Sequence, residues 1–333
     1  MEILKLAVSG WFARALAVAA RLEIADILDG GSMSSQELAE RTGSDPEVLH
    51  RLLQMLTVPG VLERDGEKFK LTEAYAPLRA DHPFTQRHFA ILAAELYDDA
   101  FAGLMHTVKT GKSGFQEVFG QSLYAYLENN PETAELFDKG MVDLATPVAH
   151  CLVEQHDFGG VKTVVDVGGG SGGLLPGILA AHPGIHGTVA DRASVCARGR
   201  EGLGRVTDEG VLERITFAPS DFFTEVPAGA DRYLLKNVLH DWTYDNCVRI
   251  LRTVATAMAT SAEGARLLVV EPLVEHDIDG WRAMFQAVAC DEGTLGLDEP
   301  GMRRALEEAG FTVESVAQLP TGHKVLASAL RAA

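Results

Sequence analysis

A chain of 333 residues is long enough for about two domains, each with its own core. Its 47 acidic side chains outnumber 29 basic ones to give a net charge of −18, which opposes binding to a phosphate backbone, and 47% hydrophobic with 23% charged residues is a globular composition. No apolar run approaches the roughly 18 residues of a membrane span, and the four cysteines, at 151, 196, 247 and 290, make no metal or redox motif, which fits reduced thiols in a cytoplasm.

The chain opens with apolar residues at helical spacing from Met1 to Leu28, interrupted by Lys5, Arg14, Arg21 and Glu23, without a signal-peptide core; it reads as a packed helix. Ser34-Ser35-Gln36-Glu37 opens a short helix and Ser44-Asp45-Pro46-Glu47 a second, carrying Val48, Leu49, Leu52, Leu53 and Leu56. The stretch 61–71 then reads as a hairpin with an Asp65-Gly66 turn. This is a winged-helix pattern. Winged helices commonly bind DNA, yet Glu37, Glu40, Asp45 and Glu47 flank the helices that would approach a groove. From Asp81 to Phe158 the pattern is mostly helical, with breaks at Pro83, Gly111 to Gly114 and Pro131. The predicted domains are 1–80, 81–158 as a helical connector roofing the substrate, and 159–333.

The stretch 164–173, Val-Val-Asp-Val-Gly-Gly-Gly-Ser-Gly-Gly, reads as a buried parallel strand that ends in an acid and a glycine-rich turn, followed by a helix from Leu174 to Ala181. Ligand sites of open α/β sheets lie at the carboxyl ends of strands, where Asp166, Gly168 and Gly170 fall. A dinucleotide loop would seat a pyrophosphate, but here a carboxylate that would repel it enters the turn and no basic residue stands beside it. Gly187 to Asp191 is a second strand, ending in an acid where a ribose-hydroxyl acceptor is expected. Asp221 ends a third, with Phe222 and Phe223 available as an apolar wall for a purine. Three strand-end acids suit a cationic, phosphate-free cofactor, so S-adenosylmethionine matches better than NAD. The competing reading makes these acids turn formers only.

The run 233–242, Tyr-Leu-Leu-Lys-Asn-Val-Leu-His-Asp-Trp, is strand-like and leads to Thr243, which is placed to cap a helix through Cys247, Ile250, Leu251, Val254 and Met258. His240 falls near the strand end. With an ordinary pKa of about 6.5, a neutral imidazole there can take a proton from a phenol, which makes it the candidate general base. Asp241 directly follows, and in an extended segment it would point to the opposite face; Glu271, ending the strand 267–271, is the better orienting partner. Lys236 lies four residues before His240, on the same face if extended, to pack over an adenine, bind its edge, or snorkel at the surface. Helices around 281–288 and 300–309 and closing strands around 311–317 and 324–329 complete the chain.

These residues resemble the class I S-adenosylmethionine-dependent O-methyltransferases that act on small hydroxylated aromatics in plant phenylpropanoid and bacterial polyketide pathways. The similarity spans nearly the whole chain and rests on the Asp166 glycine loop, Asp191, Asp221-Phe222, the Leu235-Lys236 to His240-Asp241-Trp242 block and Glu271. It implies a Rossmann-like α/β domain with a mostly parallel sheet and an antiparallel last strand, behind an N-terminal helical and winged-helix dimerisation domain. Gly168, Asp191, Asp221, Phe222 and Lys236 would contact the cofactor, with His240 as base and Glu271 beside it. The product would be S-adenosylhomocysteine. It further implies a homodimer with exchanged N-terminal helices, and places Phe137 and Met141, four apart on one helical face, against an aromatic substrate; helix-core packing is the other account of that pair.

One departure stands out. The family usually carries Gly-Gly-x-Glu-Arg-Thr near the end of the chain, its glutamate a second carboxylate beside the histidine, whereas this chain reads Gly293-Thr294-Leu295-Gly296-Leu297-Asp298. Gly296 stands where the glutamate belongs, with Asp291 or Glu292 as substitutes through a rearranged loop. The expectation is methyl transfer to a hydroxyl of a small aromatic or polyketide-derived metabolite, with no metal, nucleic acid or membrane involved. N-methylation, a hydroxylase or pericyclase that keeps the cofactor, and an acidic winged-helix metabolite sensor are the alternatives.

Overall fold

The computed structural model describes residues 2–275, 279–290, 292–294 and 296–331. Asp291, a substitute carboxylate above, lies outside the described residues. The chain divides into two compact units, Met1–Asp99 and Ala100–Ala333, so residues 81–99 go with the first and 100–158 with the second.

In the first unit the local signals act as expected. Ser34 accepts from the Glu37 N–H (3.2 Å) while the Glu37 carboxylate accepts from the Ser34 N–H (2.7 Å), a reciprocal cap on the helix Ser35–Thr42. Asp45 caps Pro46–Thr57 by accepting from Glu47 and Val48. Strands β1 (Leu62–Asp65) and β2 (Lys68–Leu71) form the antiparallel wing, with Phe69 fully buried against Leu38, Leu53 and Leu56. The chain start departs from expectation. It is not one packed helix but Glu2–Ala7, Ser9–Arg21 and Ile24–Ile27, and Glu2–Ala7 buries none of its residues. Ile3, Leu6 and Trp11 are 86%, 77% and 66% exposed.

The second unit is built on a seven-stranded sheet of β3 (Thr163–Val167), β4 (His186–Asp191), β5 (Ile215–Pro219), β6 (Arg232–Lys236), β7 (Arg266–Glu271), β8 (Phe311–Gln318) and β9 (Lys324–Leu330). Its spatial order is β5-β4-β3-β6-β7-β9-β8. The first five are parallel, and β9 pairs antiparallel with both β7 and β8. Side chains alternate across it. Val164, Leu234, Leu268 and Val270 face the core under Leu175–Ala181, whereas Val165, Val167, Tyr233, Leu235 and Val269 face that under Tyr244–Met258 and Glu299–Glu308. From β3 the strand order runs outward to β4 on one side and to β6 on the other. That reversal opens a crevice at the carboxyl ends, where the site residues lie.

Candidate active site

The glycine loop follows β3 directly. Gly168 has φ +67°, and a Cβ there would stand 2.8 Å from Val238 Cγ2 and 3.5 Å from the Phe222 ring, so a side chain would fill the crevice and strain the backbone. A Cβ on Gly173 would meet the Val142 Cα at 2.9 Å, so its absence lets the helix Pro131–Gln155 rest on the loop. The carboxylate of Asp191, ending β4, accepts from the N–H groups of Gly170 (2.9 Å) and Arg192 (2.7 Å), tying loop to strand end; each oxygen keeps a further lone pair. Burial pushes its pKa up.

Asp166 is only 2% exposed, and its Oδ2 has no hydrogen-bond partner among the described residues. Burial drives its pKa up to about 7 against the opposing pull of Lys236. An orphaned carboxylate oxygen in a crevice calls for a donor supplied from outside the chain. The unbonded Oδ2 of Asp166, the cradle stripped of Cβ atoms and a loop without a basic residue fit a ligand that carries an ammonium and a ribose and has no phosphate. These are the features of S-adenosylmethionine.

The histidine cluster differs from an extended strand end. β6 stops at Lys236, and Asn237, at φ +55°, turns the chain into a short 3₁₀ turn, Leu239–Asp241. Asparagine tolerates this left-handed conformation better than most residues. Its side-chain oxygen accepts from His323 Nε2 (2.9 Å), while burial pushes the His323 ring down to about 3. Glu271, fully buried at the end of β7, accepts from the N–H groups of Val238 (2.7 Å) and Leu239 (2.8 Å) through Oε1, and its Oε2 lies 2.7 Å from His240 Nδ1. One carboxylate therefore pins both the turn and the ring.

Three expectations are corrected by this turn. Asp241 does not point away from His240: its Oδ1 lies 3.3 Å from Nε2. Lys236 does not share a strand face with His240, because the strand has ended; burial lowers its pKa against the pull of Asp166, Glu271 and Asp241. Nor does His240 keep an ordinary pKa. Burial alone would lower it, but Asp241 and Glu271 together outweigh that cost, and it is pushed up to about 9. Asp241 also accepts from the Tyr124 hydroxyl and from the Cys290 thiol (3.0 Å), and its backbone carbonyl accepts from Thr294 Oγ1 (3.3 Å). Tyr124, Cys290, Asn237 and His323 were not anticipated. Asn237 had a usable signal, a residue that tolerates positive φ at a strand end, but the other three come from distant segments with no local mark.

Phe222 is half-buried and faces the loop at Gly168, edge-on to Trp242. Asp221 is exposed, and its Oδ1 accepts from the Phe223 N–H (2.9 Å), a turn-forming bond. Phe137 and Met141 are half-buried on the helix Pro131–Gln155; between them the buried Asp138 pairs with Arg198, and its backbone carbonyl accepts from Ser171 Oγ (3.3 Å) in the loop.

A Rossmann-like sheet with a glycine-lined, acidic crevice at its switch point and an acid-clamped histidine beside it defines a group-transfer fold of the methyltransferase class. An O-methyltransferase domain model matches residues 101–311 and an O-methyltransferase dimerisation domain model matches residues 4–76; the chain belongs to this O-methyltransferase family. It is 37% identical to the mitomycin biosynthesis 6-O-methyltransferase of Streptomyces lavendulae, over 80% of this chain and 75% of that one. It is 35% identical to the 3-amino-4-hydroxybenzoate 4-O-methyltransferase of Streptomyces cremeus, over 99% and 90%. Among solved structures it resembles the neocarzinostatin O-methyltransferase in complex with S-adenosylmethionine and 2-hydroxy-5-methyl naphthoic acid (TM-score 0.75, 28% identity, 96% of each chain). Among the described residues no helix is long and apolar enough to cross a membrane.

Proposed function

We propose that this S-adenosylmethionine-dependent O-methyltransferase methylates a hydroxyl of a small aromatic or polyketide-derived metabolite, with His240 as general base, as a homodimer in the cytoplasm. The observation that carries the reading is the clamp of His240 Nδ1 on the buried Glu271, one strand from the glycine loop. The relatives, a 3-amino-4-hydroxybenzoate 4-O-methyltransferase and a 6-O-methyltransferase of mitomycin biosynthesis among them, support the acceptor class. Cys151, Cys196 and Cys247 are buried as free thiols, which supports a reducing compartment. The dimerisation domain and the uncovered Ile3, Leu6 and Trp11 support pairing through exchanged N-terminal helices.

S-adenosylmethionine, when bound, supplies an activated methyl on a sulfonium, so the protein has mainly to position and deprotonate the acceptor. Asp166, Gly168 and Gly170, Asp191, Asp221, Phe222 and Lys236 are the residues that would hold it: Asp166 offers an oxygen to the ammonium, Asp191 its remaining lone pairs to the ribose, and Phe222 a wall to the base. Glu271 fixes the proton of His240 on Nδ1, which leaves Nε2 as the nitrogen that takes the hydroxyl proton. Asp241, beside Nε2, stabilises the imidazolium so formed. A base of pKa about 9 matches a phenol of about 10, so the proton transfer is nearly isoenergetic. Phe137 and Met141 offer apolar surface to the ring of the acceptor.

The test is a mass-spectrometric screen of hydroxylated aromatic acids, quinones and polyketides with methyl-labelled S-adenosylmethionine. A methylated product formed in step with S-adenosylhomocysteine is expected, and label on nitrogen alone, or turnover without label in product, overturns the reading.

A further inference from the structure

The helix Gly280–Ala289 ends at the His240 cluster, and its positions 282, 286 and 290 follow one another a turn apart. Arg282 Nη2 lies 3.3 Å from where a Cβ on Gly322 would stand, beside His323, and Cys290, the residue capping the helix, gives its thiol to Asp241. Gln286 lies between them, four residues from each. It is 3% exposed, and its Oε1 has no hydrogen-bond partner among the described residues. The same atom stands 2.2 Å from where a Cβ on Gly296 would lie, and Gly296 has φ +74°. Any side chain at 296 would have to displace that amide, so the two positions are coupled. The carboxylate that the resemblance puts at 296 is absent, and the space its side chain would take holds a neutral amide from the neighbouring helix; Asp241, part of the family block itself, stands at His240 Nε2.

A buried carbonyl oxygen left without a donor costs stability, and an active site is where such a cost is retained, because a ligand repays it. We propose that Gln286 is a specificity-determining residue whose side-chain oxygen accepts a hydrogen bond from a neutral hydroxyl or amino substituent on the ring being methylated. The inference rests on the O-methyltransferase reading. It favours acceptors that carry a second hydrogen-bond donor over rings with the reacting hydroxyl alone.

Matched probes test it: catechol against phenol, and 3-amino-4-hydroxybenzoate against 4-hydroxybenzoate, titrated by calorimetry into the protein saturated with S-adenosylhomocysteine. Wild type should bind the donor-bearing member of each pair about tenfold more tightly, the scale of one buried hydrogen bond. Gln286→Met should erase the preference by weakening only that member, whereas Gln286→Glu, which keeps an acceptor, should retain it. With no ligand, Gln286→Met should unfold about 2 to 4 °C higher, since it removes an orphaned polar atom. Equal affinity within both pairs for wild type, including no measurable binding of either member, overturns the proposal, as does a preference that survives Gln286→Met. The calorimetry needs no turnover, so failure to methylate any acceptor would refute the O-methyltransferase reading and leave the Gln286 contact to be decided by binding.

Discussion

Asp166→Asn should make the ligand-free protein more stable and the cofactor complex weaker. Asp166 titrates near 7 when folded and near 3.8 when exposed, so the folded chain holds its proton more tightly than the unfolded chain. Stability contributed by the neutral acid is therefore fully present below 3.8 and is lost as pH rises through 7. Three pKa steps at 1.36 kcal/mol each set the gross penalty near 4 kcal/mol at pH 8, and only about 1.7 kcal/mol at pH 5. Lys236 offsets part of this, because it too is buried and loses a partner when Asp166 is neutralised, although Glu271 and Asp241 continue to favour its charge. A net gain of about 1–3 kcal/mol at pH 8 follows, shrinking toward zero at pH 5, or a rise of roughly 2–10 °C in unfolding temperature at the higher pH.

Cofactor reverses the order. A ligand at a hundred times its dissociation constant stabilises the wild type by about 2.7 kcal/mol, and an asparagine that cannot attract an ammonium forfeits most of that. Thermal melts of both proteins at pH 5 and pH 8, with and without S-adenosylmethionine, give the four comparisons. A variant less stable than wild type at pH 8 without ligand, or equally stabilised by the cofactor, would refute the claim that Asp166 is a carboxylate waiting for a cation.

The rate of methyl transfer should depend on the His240 carboxylates. In wild type kcat/KM should climb with pH toward about 9, and Asp241→Asn should move that midpoint acid-ward by about one to two pH units, read from a pH–rate profile with a fixed acceptor. His240→Ala should lower kcat by roughly 10²–10⁴-fold while calorimetry finds cofactor affinity unchanged; a matched loss of affinity would reassign the ring to binding. Glu271→Gln keeps an acceptor for the Val238 and Leu239 N–H groups but cannot stabilise the imidazolium. It should cost about tenfold to a hundredfold in kcat with little change in circular dichroism, and unaltered turnover would remove Glu271 from the mechanism. Asp138→Asn breaks the ion pair with Arg198 beneath the glycine loop and should raise the KM for S-adenosylmethionine more than that for the acceptor, by steady-state kinetics.

Much of this site was legible because hydrophobic runs announce parallel strands, and the crevice of such a sheet lies where those runs stop. Asp166, Asp191 and Glu271 each sit at the polar end of an apolar run, so strand identity alone aligned them at one edge. The same logic misled at 233–242. Val238 and Leu239 prolong the apolar run, yet they are buried not as strand residues but because Glu271 accepts both of their N–H groups and Asn237 takes the positive φ that starts the turn. A run that reads as ten extended residues has only its first four in the strand before the turn, and that difference turns Asp241 from the far side of the chain to the face of Nε2.

The unreadable remainder is long-range. Tyr124, Cys290 and His323 reach the cluster from 117, 49 and 86 residues away in sequence from their partners, and nothing local to them marks the meeting. Gly296 is the instructive case, since a glycine where a glutamate is expected reads in one dimension as a lost function. In three dimensions the position is occupied by the Gln286 side chain, while Asp241, which belongs to the family block, lies at His240 Nε2. A missing charge in a motif is thus evidence of changed substrate preference only after the volume it vacated has been assigned. Here the occupant is a neutral amide, and the carboxylates of Asp241 and Glu271 both still lie against His240.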